Sequence, residues 1–199
     1  MRRRDFLTTV AAAAVAGVEV RLGAQAQAPP VQPRVQRKGR IKQSLFRQVF
    51  GNANQSFDDQ CRIAAELGCK GFDLIQPQDW PTLKKYGLIP TMGPTGGVTI
   101  PDGTIRKELH ESLEKSVRAN IDVCAAAGCP NMITVGGQRR GMSEAEGADN
   151  CVAFLNRVKA QAEDKGVTIC MEYLNSKVNH KDYMFDHVAW GVDVMSRVN

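Results

Sequence analysis

The residues best suited to chemistry are Glu172, Asn175 and His180, which follow one another at the end of an apolar run. That run, Val167-Thr168-Ile169-Cys170-Met171, starts after Gly166 and predicts a buried strand. A carboxylate at the end of such a strand is costly to bury unless a cation or hydrogen bonds receive it, so Glu172 is a candidate metal ligand or proton-transfer group. The alternative is a glutamate that points to solvent beyond a frayed strand end.

Other polar residues in predicted loops have more than one interpretation. Arg139 could bind a substrate carboxylate through two hydrogen bonds, although an exposed loop arginine is the default interpretation. His180 is either a ligand of substrate oxygens or a solvated loop histidine. His110 lies beside an apolar helical stripe, which favours a structural role. Gly96-Gly97 lacks the lysine and serine of a phosphate-binding loop, so the sequence gives little support to nucleotide binding.

Strand-like and helix-like segments alternate from residue 41 onward, and they are the elements that must position these residues. Before the strand that leads to Glu172, four strands are predicted within 41–50 and at 72–75, 88–92 and 132–135. Two helices are predicted at 80–86 and along a stripe from 109 to 124 that ends near Gly128.

Capping residues predict where three further helices begin. Ser56 with Asp59, and Ser143 with Glu146, form capping boxes or close variants of them. Asp182 is expected to cap a last helix that carries apolar residues at one face: Phe185, Val188, Val192 and Met195.

This alternation predicts an α/β protein made of parallel βαβ units. Ligand chemistry in such folds takes place at the carboxyl ends of the strands, which is where Glu172 falls. Periodicity does not separate an open doubly wound sheet from part of a (β/α)8 barrel.

Composition narrows the class of protein. The chain of 199 residues is 43% hydrophobic and 24% charged, as in ordinary soluble domains. Its net charge of +5 falls to +3 without residues 1–28, and its basic residues are not clustered with aromatics, so no nucleic-acid partner is predicted. Its six cysteines have no metal-binding spacing and are expected to be buried thiols, with a Cys124–Cys129 disulfide left open.

The N-terminus has the pattern of an export signal over residues 1–28. Arg2-Arg3-Arg4 precedes a short alanine-rich apolar stretch and small residues suited to cleavage, and the stretch is too short for a stable membrane anchor. The arginines ahead of Asp5-Phe6-Leu7 resemble a twin-arginine signal, which implies a periplasmic protein, with a general secretory signal as the alternative. Prolines predict a linker at 29–40, which leaves 41–199 as the folded domain.

Three stretches resemble the hydroxypyruvate isomerase group of the xylose isomerase-like TIM barrels, which are sugar phosphate isomerases and epimerases. They are Gly71-Phe72-Asp73-Leu74-Ile75 with the following 79–88, Arg139-Arg140-Gly141-Met142-Ser143, and 168–184. The resemblance implies an aldose–ketose isomerisation through an enediolate, with hydroxypyruvate as a substrate. It also implies that Glu172 is the acid/base group and a ligand of Mg²⁺ or Mn²⁺.

The same resemblance places Asn175 and His180 in a loop that can contact substrate oxygens. A barrel of this kind has eight strands, and five are predicted here, so we expect an incomplete, C-terminally truncated barrel with impaired activity. Whether the chain is an enzyme is therefore left open. The alternative is a non-catalytic carbohydrate-binding or assembly module. The expected partner is a small carbohydrate, and homo-oligomerisation is left open.

Overall fold

Five parallel strands form the centre of the computed structural model, which describes residues 41–51 and 54–199. The strands are β1 (Ser44–Phe46), β2 (Gly71–Asp73), β3 (Ile89–Met92), β4 (Asn131–Val135) and β5 (Thr168–Glu172). The export signal and linker predicted at 1–28 and 29–40 lie outside the described residues and stay predictions.

The strands follow one another in chain order without a reversal. β1 pairs with β2, β2 with β3, and β4 with β5, all in parallel. Gly93 joins the two groups, since its N–H donates to Asn131 O at 2.8 Å and its carbonyl accepts from Ile133 N at 3.1 Å. A doubly wound sheet changes direction part-way, whereas barrel strands do not. The fold is therefore part of a TIM barrel, which confirms the incomplete (β/α)8 barrel expected from the resemblance.

Five α-helices connect or follow the strands. They are α1 (Phe57–Glu66), α2 (Trp80–Lys85), α3 (His110–Ala127), α4 (Glu144–Lys165) and α5 (Val188–Arg197). The apolar faces of α3 and α4 bury Val117, Ile121, Phe154 and Val158 against the sheet. No helix within 41–51 or 54–199 is long and apolar enough to cross a membrane.

Two predicted helix starts are confirmed by their caps. Ser56 Oγ accepts a hydrogen bond from Asp59 N at 3.1 Å, and Ser143 Oγ accepts one from Glu146 N at 3.2 Å. Each bond satisfies an amide that the first helical turn leaves without a partner. These caps fix the entries to α1 and α4.

The predicted cap of the last helix is wrong. α5 begins at Val188, with His187 in the capping position, so Phe185 lies in the preceding loop. Asp182 instead has a φ of 65° and accepts a hydrogen bond from Arg140 N through its carboxylate at 2.7 Å. The segment around Asp182 pairs with the loop after β4, and this tertiary pairing outweighs the local capping signal.

The cysteines behave as predicted. All six thiols are free and all but Cys170 are buried, so the open question of a Cys124–Cys129 disulfide is answered by two unbonded thiols. Cys124 and Cys129 both lie against Gly93, where a β-carbon would sit 2.6 Å from Cys124 Sγ. Gly93 is thus the residue that lets α3 pack closely on the junction of β3 and β4.

Candidate functional site

A cavity of about 230 Å³ opens at the carboxyl ends of the strands. Residues that follow β2 and β3, and residues of β4 and β5, form its wall: Leu74, Gln76, Pro94, Thr95, Val98, Ile100, Ile133, Val135 and Glu172. Most of this wall is apolar, and its polar side chains are those of Gln76, Thr95 and Glu172. This is the end of the sheet at which parallel barrels hold their ligands.

Glu172 reaches the cavity because of its register on β5. β4 and β5 pair residue by residue from Asn131↔Thr168 to Val135↔Glu172. Opposed residues of parallel strands point to the same face, so Glu172 lies beside Val135 on the cavity side. The Glu172 residue is half-buried, and no hydrogen bond or ion pair to its carboxylate is found within 41–51 and 54–199. A carboxylate in this position is available to accept a proton from a bound molecule.

The loop at 98–106 closes one side of the cavity and is fastened to the end of β4. Thr104 N donates to Val135 O at 3.1 Å, and Ile105 N donates to Gly136 O at 3.0 Å. The buried guanidinium of Arg106 donates to the carbonyls of Gln138 and Arg139. These bonds hold the part of the wall that Val98 and Ile100 supply.

Asn175 and His180 lie in the loop after β5 and do not line the cavity that contains Glu172. The Asn175 side chain is turned into its own loop, where Oδ1 accepts from Lys177 N at 2.9 Å and from Val178 N at 3.3 Å. His180 is half-buried, and its backbone N–H donates to Asn175 O at 3.0 Å. Their predicted contacts with substrate stay predictions.

Arg139 is held by acidic neighbours. Its guanidinium pairs with Asp186 at 3.0 Å and with Glu144 at 3.0 Å. The hydrogen bonds from Arg139, and then from Ser176 and His187, hold the pKa of Asp186 well below its ordinary value of 3.8. Because Asp186 already occupies the guanidinium, a substrate carboxylate would have to compete for it. The predicted substrate role of Arg139 also stays a prediction.

The donors at the cavity do not by themselves make a divalent-metal site. In the part of the chain that the structure describes, no three histidine, cysteine, aspartate or glutamate residues lie close enough to share a metal ion. Glu172 is one carboxylate, and Gln76 and Thr95 are its polar neighbours. Glu172 offers one carboxylate ligand to a hard cation such as Mg²⁺, whose remaining ligands would be waters, substrate oxygens or other residues.

Sequence reasoning did not assign a role to Gln76 or Thr95. Gln76 follows β2 and Thr95 follows β3, so their position after a predicted strand was the available signal. Neither residue is part of a recognisable catalytic motif or charged cluster in the sequence. The cavity brings both of them together with Glu172 from strands that are distant in sequence.

Comparison with known proteins agrees with this architecture. The family model of the xylose isomerase-like TIM barrel matches residues 61–198. A search of curated proteins found no match. The family match spans most of the described barrel, including Glu172.

Solved structures give the same fold at low sequence identity. The family 2 AP endonuclease of Brucella melitensis has a TM-score of 0.60 at 18% identity, over 74% of this chain and 61% of that one. D-psicose 3-epimerase of Clostridium cellulolyticum H10 has a TM-score of 0.60 at 14% identity, over 80% and 60%. The IolI protein, solved with a bound zinc atom, has a TM-score of 0.63 at 12% identity, over 80% and 59%.

This chain therefore spans about 60% of the length of those solved structures. Its five strands correspond in number and order to the first part of an eight-stranded barrel. With the family match over residues 61–198, the chain belongs to the xylose isomerase-like TIM barrel family.

Proposed function

We propose that this protein is a sugar isomerase or epimerase in which Glu172 transfers a proton between adjacent carbons. The observation that carries the proposal is the place of the Glu172 carboxylate, on the wall of a mostly apolar cavity at the strand ends. Two matched structures have names that support a carbohydrate substrate, D-psicose 3-epimerase and the 3-keto-D-glucoside 4-epimerase of E. coli.

The chemistry follows from the three polar residues of the cavity. Glu172 accepts the proton from the carbon next to a carbonyl, and the electron pair left behind forms an enediolate. The Gln76 amide and the Thr95 hydroxyl can donate hydrogen bonds to its oxygens, where negative charge develops. Glu172 then returns the proton to the neighbouring carbon while a hydroxyl proton passes from one enediolate oxygen to the other, so that the carbonyl and the hydroxyl exchange places. Epimerisation would need a second acid that delivers a proton to the opposite face of the same carbon.

The charges around the cavity favour a neutral hydroxy-ketone. Among its lining residues Glu172 carries the charge, and Arg139 is paired with Asp186 elsewhere. An anionic substrate would place its carboxylate near that of Glu172, and like charges repel. We therefore propose a small neutral ketose as the substrate, with hydroxypyruvate as the anionic comparison.

Several predictions from the sequence remain parts of this proposal. Asn175, His180 and Arg139 are proposed to donate hydrogen bonds to substrate oxygens when the loop after β5, which carries the Asp186 partner of Arg139, rearranges. We also propose that a divalent metal, Mg²⁺ or Mn²⁺, binds at the cavity. Such a metal would need ligands in addition to those that the described residues bring there. We also propose export to the periplasm through the twin-arginine signal at 1–28.

The test is proton exchange by the Glu172→Gln variant. D-fructose is incubated in D2O with the wild-type protein, and deuterium incorporation at the carbons beside the carbonyl is followed by proton NMR. Loss of a general base lowers such rates on the order of 100-fold or more, so exchange should nearly vanish in Glu172→Gln. Glu111→Gln, at an exposed position of α3, is the matched control and should retain the wild-type rate.

Two results would argue against this proposal. Equal exchange by wild-type protein and Glu172→Gln would show that Glu172 is not the base. Binding of D-fructose without any exchange would support a carbohydrate-binding module instead. A higher exchange rate with hydroxypyruvate than with D-fructose would correct the substrate class alone.

A further inference from the structure

Tyr183 is buried directly behind the candidate base. The residue is 0% exposed, and its hydroxyl contacts the ends of two neighbouring strands. It donates a hydrogen bond to the backbone carbonyl of Glu172 at 2.9 Å and accepts one from Gly136 N at 2.8 Å. One side chain therefore bridges the last residue of β5 and the first residue beyond β4.

This bridge occurs where the backbone pairing of the two strands stops. Val135↔Glu172 is the last pair in the register of β4 and β5. Beyond it, Gly136 turns into the loop, and a buried N–H on one strand and a carbonyl on the other would lack partners. The phenol supplies both, since a hydroxyl can donate and accept at the same time.

The segment that carries Tyr183 is itself fastened to the loop after β4. Arg139 N donates to Asp182 O at 2.7 Å, and Met184 N donates to Gly137 O at 2.8 Å. Burial raises the pKa of the Tyr183 hydroxyl above its ordinary value of 10.0. The phenol therefore stays protonated over the neutral range and remains a donor to the Glu172 carbonyl.

We propose that Tyr183 is a positioning residue that fixes the backbone of Glu172 and so aims its carboxylate into the cavity. The inference rests on the proposed function, because it gives Tyr183 a task in proton transfer. A base that is fixed at its point of attachment keeps the short approach to the substrate carbon that proton transfer requires. Tyr183 does not line the cavity, so it acts through Glu172 and not on the substrate.

Tyr183→Phe removes the hydroxyl and keeps the ring. With D-fructose we expect kcat to fall on the order of 10- to 100-fold while KM changes little, because a shifted base impairs chemistry more than binding. Tyr173→Phe is the matched control. Tyr173 is adjacent to Glu172 but 51% exposed, and its edge-to-face contact with Phe185 needs only the ring. Tyr173→Phe should keep the wild-type kcat and KM. An unchanged kcat in Tyr183→Phe would overturn the inference.

A second readout does not depend on turnover. In protein labelled with ¹³C-glutamate, the carboxyl resonance of Glu172 at neutral pH should move in Tyr183→Phe and stay in place in Tyr173→Phe. If wild-type protein exchanges no proton of D-fructose, the proposed function fails, and this resonance alone decides the role of Tyr183. An unmoved resonance overturns the inference.

A measurement on the wild-type protein covers the case in which Tyr183→Phe does not fold. The Tyr183 hydroxyl proton should exchange slowly with water and show a nuclear Overhauser contact to the Gly136 amide proton. Absence of that contact would show that the bridge does not form, and the inference would be overturned.

Discussion

Gly103→Ala is the substitution whose effect follows most directly from the structure. Gly103 lies in the loop at 98–106, against the chain that leaves β4. A β-carbon at Gly103 would sit 2.1 Å from Gly136 O and 2.4 Å from Gly137 N. Both are backbone atoms, so no side-chain rotation can relieve the clash, and the loop has to move away from the strand end.

The cost can be worked out from the contacts that this movement breaks. Normal contact between such atoms is roughly 3.5 Å, so the loop must shift by more than an ångström. Overpacking of this kind costs about 1–3 kcal/mol. The bonds Thr104 N–Val135 O and Ile105 N–Gly136 O lie next to the clash, and each lost bond adds about 1 kcal/mol. With both bonds lost, we expect the free energy of unfolding to fall by about 3–5 kcal/mol.

Urea denaturation followed by circular dichroism measures this change. With a slope of about 1–3 kcal/mol per molar urea, the midpoint should fall by at least about 1 M. Gly147→Ala is the matched control, because its β-carbon would meet Met184 Cε at 2.6 Å, the far end of a flexible side chain. Alanine is also preferred in a helix such as α4, so this variant should stay near the wild-type midpoint. Equal midpoints for Gly103→Ala and Gly147→Ala would refute the packing argument.

Two further predictions concern α3 and α4. Ser143→Ala removes the hydroxyl that caps Glu146 N, so thermal unfolding should report a loss of about 1 kcal/mol, and an unchanged melting temperature would contradict the cap. Burial lowers the pKa of His110 below its ordinary value of 6.5, so the unfolded chain binds the proton more readily. The urea midpoint of the wild-type protein should therefore fall as the pH drops through about 6.5, and the midpoint of His110→Gln should fall less. Equal pH dependence of the two midpoints would contradict the burial of a neutral His110.

The sequence predicted the elements that rest on local patterns. Serine caps marked the starts of α1 and α4, Gly128 ends α3 in a left-handed conformation, and the apolar run after Gly166 is β5. Each of these signals lies within a few neighbouring residues, where hydrogen-bonding geometry is set by residue type. Periodicity left the barrel and the doubly wound sheet open, the family resemblance favoured the barrel, and the strand order confirms it.

Tertiary pairing explains what the sequence did not predict. Asp182 is of a residue type that often caps helices, but its carboxylate accepts a hydrogen bond from Arg140 N in the loop after β4. In the sequence Tyr183 looks like an ordinary core aromatic residue, yet its hydroxyl makes hydrogen bonds to the ends of two strands. Gln76 lines the same cavity as Glu172 although β3 and β4 lie between them in sequence. In each case the partner is defined by the folded chain and not by spacing.

The contacts around Glu172 divide the candidate site into a fixed and an adaptable part. The end of β4 lies between two fastened segments, the loop at 98–106 on one side and the strand-like pairing near Tyr183 on the other. Gly136 and Gly137 are buried between them, and a β-carbon at Gly137 would sit 2.8 Å from the backbone nitrogen of Gly103. Proton transfer needs a base held within a fraction of an ångström, whereas groups that bind substrate oxygens tolerate some adjustment. Glu172, the proposed base, lies at the hydrogen-bonded end of β5, whereas the exposed amide of Gln76 lies on a loop. The group that transfers the proton is thus fixed, and the group that binds substrate oxygens can adjust.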